Sequence, residues 1–243
     1  MAKSKDYQKR FYRGLTKSSD LLGQEVVVKE TDLFIFAEKD IKLITEEVVK
    51  KYRAQIEAYI KRRPEFMTSL EPIKQDSLAA DIIKEMIRTT ELAGVGPMAS
   101  VAGALSEFSG NELLAHSRQI IIENGGDIFI KSDKVRTIAI YAGDSPFSNK
   151  IFIKIKPEDT PVGVCTSSGT VGHSLSFGKA DACVIIAKSA TLADAVATAM
   201  CNRIKKKKDI APSLKFALSI KGVKAAVAIL GKELGSIGNV ELA

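Results

Sequence analysis

Apolar and polar positions change period several times along the chain. Residues 22–37, LGQEVVVKETDLFIFA, place apolar runs on either side of a polar Lys-Glu-Thr-Asp stretch, which predicts two strands around a turn. From Ile41 to about Arg63, residues Leu43, Ile44, Val48, Val49, Tyr52, Ile56 and Ile60 recur at helical spacing. Pro64 ends that helix, because proline lacks the N–H the next turn would need. A second helix is expected from Ser77 to Leu92, with Leu78, Ile82, Ile83, Met86 and Ile87 on its buried side.

The segment AGVGPMASVAGALSE carries three glycines and a proline ahead of or inside a third helix. Its small residues imply that backbone closely approaches another helix or a ligand. After His116, itself on a predicted helix, the pattern turns to strands. QIIIENGGDIFIKS reads as a hairpin about Asn-Gly-Gly-Asp, followed by strands in VRTIAIYAG, KIFIKIK, VGVCTS and DACVIIAK. A helix from Thr191 to about Ile204 comes next. LKFALSI and VKAAVAIL read as two closing strands, with helix the alternative for the second. With no Pro/Ser-rich linker and no sequence repeat, the expectation is one α+β domain over 1–243, helices packed on an antiparallel or mixed sheet, with residues 1–40 as an N-terminal appendage.

Composition narrows the setting. At 243 residues, 45% hydrophobic and 27% charged, the chain can bury a substantial core and reads as soluble. No apolar run is long enough to span a bilayer, and MAKSKDYQKRFYR is not followed by the apolar stretch of a secretory signal. Three widely spaced cysteines, Cys165, Cys183 and Cys201, suit a reducing cytoplasm rather than a disulfide framework, and no zinc-type cluster accompanies them. The net charge of +7 invites an anionic partner. Its concentrations, the first 13 residues and Lys205–Lys208, lack interleaved aromatics, so they read as solvated charge before nucleotide phosphate, and nucleic acid ranks last.

Three stretches carry candidate chemistry. In ENGGD, Asn124 and Gly125 suit a tight turn. Alternatively, Gly125 and Gly126 bare their backbone to a ligand beside Asp127. In TLADAVATA, Thr191 and Asp194 have the spacing of a capping box. Asp194 and Thr198, four apart, can also face one side of a helix and offer hard oxygen ligands to Mg²⁺. CTSSGTVGH pairs Cys165, Ser167 or Ser168 with His173 as nucleophile and base, or forms a phosphate cradle of hydroxyls and free N–H groups, or is a polar connection between strands. It lacks the Gly-Lys-Ser/Thr of a P-loop.

The order ENGGDIFI, TSSGTVGH, ADAVATA resembles the ApbE-type superfamily of FAD:protein FMN transferases and their relatives, and is most similar to a short branch of it. The likeness covers residues 93–204 best. It implies that Asp194 and Thr198 hold Mg²⁺ with a backbone carbonyl from the 94–103 segment. It further implies that Gly125, Gly126, Asp127, Thr166, Ser167, Ser168 and Gly169 border FAD, FMN or a related nucleotide, with His173 and Asp194 as catalytic residues. The implied activity is a Mg²⁺-dependent FMN transfer or FAD hydrolysis, with an acceptor protein as a further partner and homo-oligomerisation left open. The alternative is a non-catalytic member that binds a ligand or a protein. Three departures favour the alternative: Ala102 stands where the transferases carry a lysine, SLSFGKADA replaces their Ile-Ile-Asp-Pro after the histidine, and their early flavin-gripping segment is not recognisable.

Overall fold

A computed structural model describes residues 20–171 and 176–243. Two strands, β1 (Leu22–Val28) and β2 (Thr31–Ala37), form the hairpin expected from the sequence, but its turn is shorter. Val28 pairs with Thr31, leaving only Lys29-Glu30 in the turn, with Lys29 at φ 53. Helix α1 (Lys42–Arg62) stops before Pro64, and a short α2 (Glu65–Thr68) follows. Helix α3 covers Asp81–Ala93 and α4 covers Val101–Leu113. The strands β3 (Ile120–Asn124), β4 (Asp127–Lys131), β5 (Arg136–Ala139), β6 (Phe152–Ile155), β7 (Val162–Ser167) and β8 (Ala182–Ala187) come next. The chain then forms α5 (Ala190–Arg203), α6 (Ile210–Ser219), β9 (Val223–Leu230), β10 (Glu233–Gly238) and β11 (Glu241–Leu242).

Eight strands form one antiparallel sheet in the order β1-β2-β3-β4-β7-β8-β9-β10, and β11-β6-β5 form a second. The large sheet repeats one unit: a hairpin, a helical excursion, and a second hairpin. The excursion between β2 and β3 holds α1 to α4, and the one between β8 and β9 holds α5 and α6. The two units meet where β4 pairs with β7.

The helices lie on one face of the large sheet. Cys165, Ile185, Ala226 and Ala228 meet α5 and α6 there, while Leu33, Ile35 and Ile122 meet Val48 and Val49 of α1. On the other face, Val164, Val184 and Val227 pack against Ile138, Ile153 and Ile155 of the small sheet. Strand β8 is therefore buried on both sides, which is why its sequence ACVIIA is apolar without alternation.

Residues 22–37 are no appendage, since β1 and β2 are the first two strands of the large sheet and β2 pairs with β3. Leu43 is 80% exposed, because it lies in the first turn of α1, off the buried stripe of Thr45, Val48 and Val49. Two further sequence expectations are corrected. Leu78 is 89% exposed, because Ser77–Ala79 form a turn and α3 starts only at Asp81. LKFALSI belongs to α6, not a strand: its buried Leu214 and Ala217 continue a helical stripe from Ile210, which a seven-residue window cannot show. VKAAVAIL is strand β9.

Candidate functional site

The site is organised by a close crossing of α4 and α5. A Cβ at Gly103 would fall 2.3 Å from the Ala190 carbonyl oxygen and 2.7 Å from Asp194 Cβ, so only glycine lets these backbones meet. The close approach inferred for the 93–107 segment is thus made to protein, and at Gly96 likewise to the Ser69 carbonyl. Across the crossing each helix start is capped by the other helix. Ser100, at the start of α4, makes no side-chain cap, and the Gly103 N–H donates instead to Asp194 Oδ2 at 2.9 Å. The Ala102 N–H also contacts this carboxylate. In return, Glu107 Oε2 accepts from the Thr191 N–H (2.9 Å), the Thr191 hydroxyl (2.7 Å) and the Ser189 hydroxyl (2.6 Å) at the start of α5. A carboxylate satisfies the orphan N–H groups of a helix start and is favoured by its dipole.

This overturns the capping-box reading of Thr191 and Asp194. Ser189 is the N-cap, accepting from the Leu192 N–H at 3.2 Å, and Asp194 serves α4 rather than its own helix. Nothing in the local spacing announces Glu107, because its partners lie more than 80 residues away.

The ENGGD turn docks against the same helix start. Gly125 (φ 69) and Gly126 (φ 110) form the two-residue turn between Asn124 and Asp127, where both positive angles demand glycine-like backbone. The Asn124 side-chain N–H donates to the Ala102 carbonyl at 3.3 Å, and the Ser106 hydroxyl lies 3.0 Å from both the Ala102 and Asp127 carbonyls. Asp127 pairs with Cys165 across β4 and β7. Its side chain points inward: the residue is 8% exposed, and Oδ1 has no hydrogen-bond partner among the described residues.

Two buried carboxyls therefore face one region. Burial pushes Asp194 up to about 7, against the opposing pull of the Gly103 and Ala102 amides. Burial pushes Asp127 well above the carboxylate range, and the charges of Asp194 and Glu123 add to the shift, while the Cys165 thiol and Thr166 amide oppose it. Cys165 is wholly buried, donates to the Ala190 carbonyl at 3.3 Å, and is held protonated by burial and by the two aspartates. It is no activated nucleophile, since reactivity requires the thiolate.

The β7–β8 connection is partly self-satisfied. The Ser168 hydroxyl accepts from the Thr170 and Val171 N–H groups at 3.1 and 2.9 Å, and the Gly169 N–H donates to Ala180 at 2.8 Å. The Gly169, Thr170 and Val171 amides are thus taken within the loop. Thr166 is half-buried beside Gly126, whose carbonyl accepts the Thr166 N–H at 3.2 Å. Ser167 turns to the opposite side, toward Cys201. Cys201 is also touched by Cys183, and these contacts outweigh burial to bring it down to about 7. Thr198 is half-buried one turn beyond Asp194. His173 lies outside the described residues, and His116 is exposed in the turn after α4. Lys205–Lys208 are exposed, with Lys207 paired to Glu233 at 2.8 Å.

A family model described as "AbpE bacteria" matches residues 15–232. The chain belongs to this ApbE-like family. It is 37% identical over 214 residues to the "UPF0280 protein" of Methanocella arvoryzae, covering 88% of this chain and 87% of the relative. It is 39% identical over 226 residues to that of Methanococcus aeolicus, covering 90% and 91%. Its fold is similar to the apo crystal structure of Pseudomonas stutzeri flavinyl transferase ApbE, with a TM-score of 0.59 at 14% identity over 89% of this chain and 93% of that one. The flavin transferase ApbE of Vibrio cholerae gives a TM-score of 0.57 at 10% identity over 89% and 96%. At such identities the likeness concerns fold, and the α+β architecture agrees with the sequence expectation.

For this ApbE-like chain the donor set fits a hard divalent cation. Among the described residues no group of three or more His, Cys, Asp and Glu side chains is arranged to hold a metal. What the crossing offers is carboxylate, carbonyl and hydroxyl oxygen, suited to Mg²⁺ with waters or phosphates completing its shell. An open cleft of ≈ 850 Å³ that reaches the crossing at Glu107, lined also by Asp76, Asp81, Lys84, Glu85 and Arg88, is edged by side chains already paired, Lys84 with Asp81 and Arg88 with Glu85. Among the described residues no helix is long and apolar enough to cross a membrane.

Proposed function

We propose that this ApbE-like protein binds the pyrophosphate of a flavin dinucleotide, or a related nucleotide, over a Mg²⁺ held by Asp194 and Thr198. The observation that carries the reading is Asp194 itself: a carboxylate 9% exposed, set among backbone amides, with the buried Asp127 adding negative charge nearby. Burying two acids without a cation is unfavourable, and a bound divalent ion would relieve it. When bound, Mg²⁺ would supply charge neutralisation at a pyrophosphate. Gly125, Gly126 and Thr166 would border the ligand, and Ser167, Ser168 and Gly169 would shape the adjoining loop. His173 is proposed as the proton-handling residue of that loop. The activity in this proposal is attack of water or a protein hydroxyl on the FMN phosphorus of FAD, with AMP leaving.

Calorimetry of FAD, FMN and ADP with and without Mg²⁺ tests it, together with mass spectrometry of any co-purifying small molecule. Mg²⁺-dependent binding that is lost in Asp194→Ala supports the reading; no binding of any of the three sinks it. FAD turnover that persists in His173→Asn would remove the histidine from the chemistry.

A second reading, a non-catalytic ligand- or protein-binding member, is favoured by Ala102. This half-buried residue adjoins Gly103 at the crossing, and no ammonium replaces the lysine of the transferases there. Binding of a dinucleotide with Mg²⁺ and no release of AMP would select it.

A further inference from the structure

We propose that Asp127 is a direct oxygen ligand of the divalent cation, making a two-carboxylate centre with Asp194 in which the ENGGD turn serves the metal. This rests on the proposed cation at Asp194 but not on the identity of the nucleotide. Three observations converge. Asp127 is more than nine-tenths buried and its Oδ1 has no hydrogen-bond partner among the described residues, in a protein where buried polar atoms ordinarily find one. The strongest charge acting on Asp127 is that of Asp194, with Glu123 next, so the carboxylate faces negative charge. Its main chain is also fixed. The Asp127 carbonyl is held by Ser106, its neighbour Asn124 by the Ala102 carbonyl, and Asp127 itself is paired opposite Cys165.

These anchors tie the turn to the α4 start that Asp194 caps. The carboxylate is therefore built in, not a surface acid that can swing to water. An oxygen atom held dry, without a donor among the described residues, and acted on by a second carboxylate has the chemistry of a cation ligand. Waters would complete a hard-oxygen shell.

The test uses the full chain stripped with EDTA and titrated with Mn²⁺ without nucleotide, followed by electron paramagnetic resonance, and with Mg²⁺ by thermal shift. Wild type, Asp127→Asn and Asp194→Asn are compared. Each substitution keeps side-chain volume, and matched circular dichroism in EDTA confirms folding. The expected result is that Asp127→Asn weakens Mn²⁺ binding at least about tenfold, the low end of what even outer-shell partners contribute. It should also shrink the Mg²⁺-induced rise in melting temperature. Unchanged affinity in Asp127→Asn with loss in Asp194→Asn overturns this inference and leaves the Asp194 cation standing. Absence of Mn²⁺ binding in wild type overturns both. Mn²⁺ binding that depends on both aspartates, without binding of FAD, FMN or ADP, upholds this inference and removes the nucleotide.

Discussion

Gly103→Ala sets two physical effects against each other. Inside an exposed helix, replacing glycine by alanine stabilises by about 1 kcal/mol. Here the added methyl would lie 2.3 Å from the Ala190 oxygen, 2.7 Å from Asp194 Cβ and 2.8 Å from the Ala190 carbonyl carbon. Unstrained contacts need about 3.5 Å, so α5 has to recede by roughly 1 Å, and the obstructing atoms are mostly backbone. Overpacking of this kind costs about 1–3 kcal/mol. The same displacement stretches the 2.9 Å bond from the Gly103 N–H to Asp194, a charge-assisted bond of about 1.5–3 kcal/mol. The net expectation is a loss of about 2 kcal/mol, with weaker cation binding. Urea unfolding followed by circular dichroism measures it, with Asn111→Ala, on an exposed position of the same helix, as the control. Gly103→Ala equal to or more stable than wild type would refute the close-crossing argument.

Further outcomes follow from the same geometry. In EDTA, Asp194 with its pKa raised to about 7 contributes stability that is full below about pH 4 and is lost as pH rises to 7. Asp194→Asn should therefore match wild type near pH 4 and exceed it at pH 8 by up to about 4 kcal/mol, with thermal melts across pH as the measurement. A difference independent of pH would contradict the burial argument. Glu107→Ala removes the acceptor of three hydrogen bonds at the start of α5 and should cost about 2–3 kcal/mol, with Glu107→Gln recovering part of it in urea titrations. Met86→Ala, fully buried, should cost about 2–5 kcal/mol, whereas Leu78→Ser should stay within about 0.5 kcal/mol in the same assay.

Legibility followed the range of each interaction. Helix α1 and the β1–β2 and β3–β4 hairpins were readable because their period, proline stop and Gly-Gly turn are local signals. Helix α6 was misread because its apolar stripe is completed by Ile210, outside the window that looked like a strand. The last strands, β10 and β11, went unread because ELGSIG and EL lack an apolar run, and they form by pairing with β9 and β6. The repeated hairpin–helices–hairpin unit left no trace in the letters, since topology can recur without residue identity.

The sequence by itself determined the order of most elements, the glycines that bend ENGGD and the spacing that sets Asp194 one helical turn from Thr198, because these depend on neighbours within a few residues. Only tertiary structure decided what Asp194 does with its oxygens, that Glu107 answers it across the crossing, that Cys165 is buried and protonated, and that Asp127 Oδ1 points inward without a donor among the described residues. Each of those depends on desolvation and on partners such as Ala190, 25 residues from Cys165, and Gly103, 91 residues from Asp194, and a linear pattern carries neither the burial nor the distance.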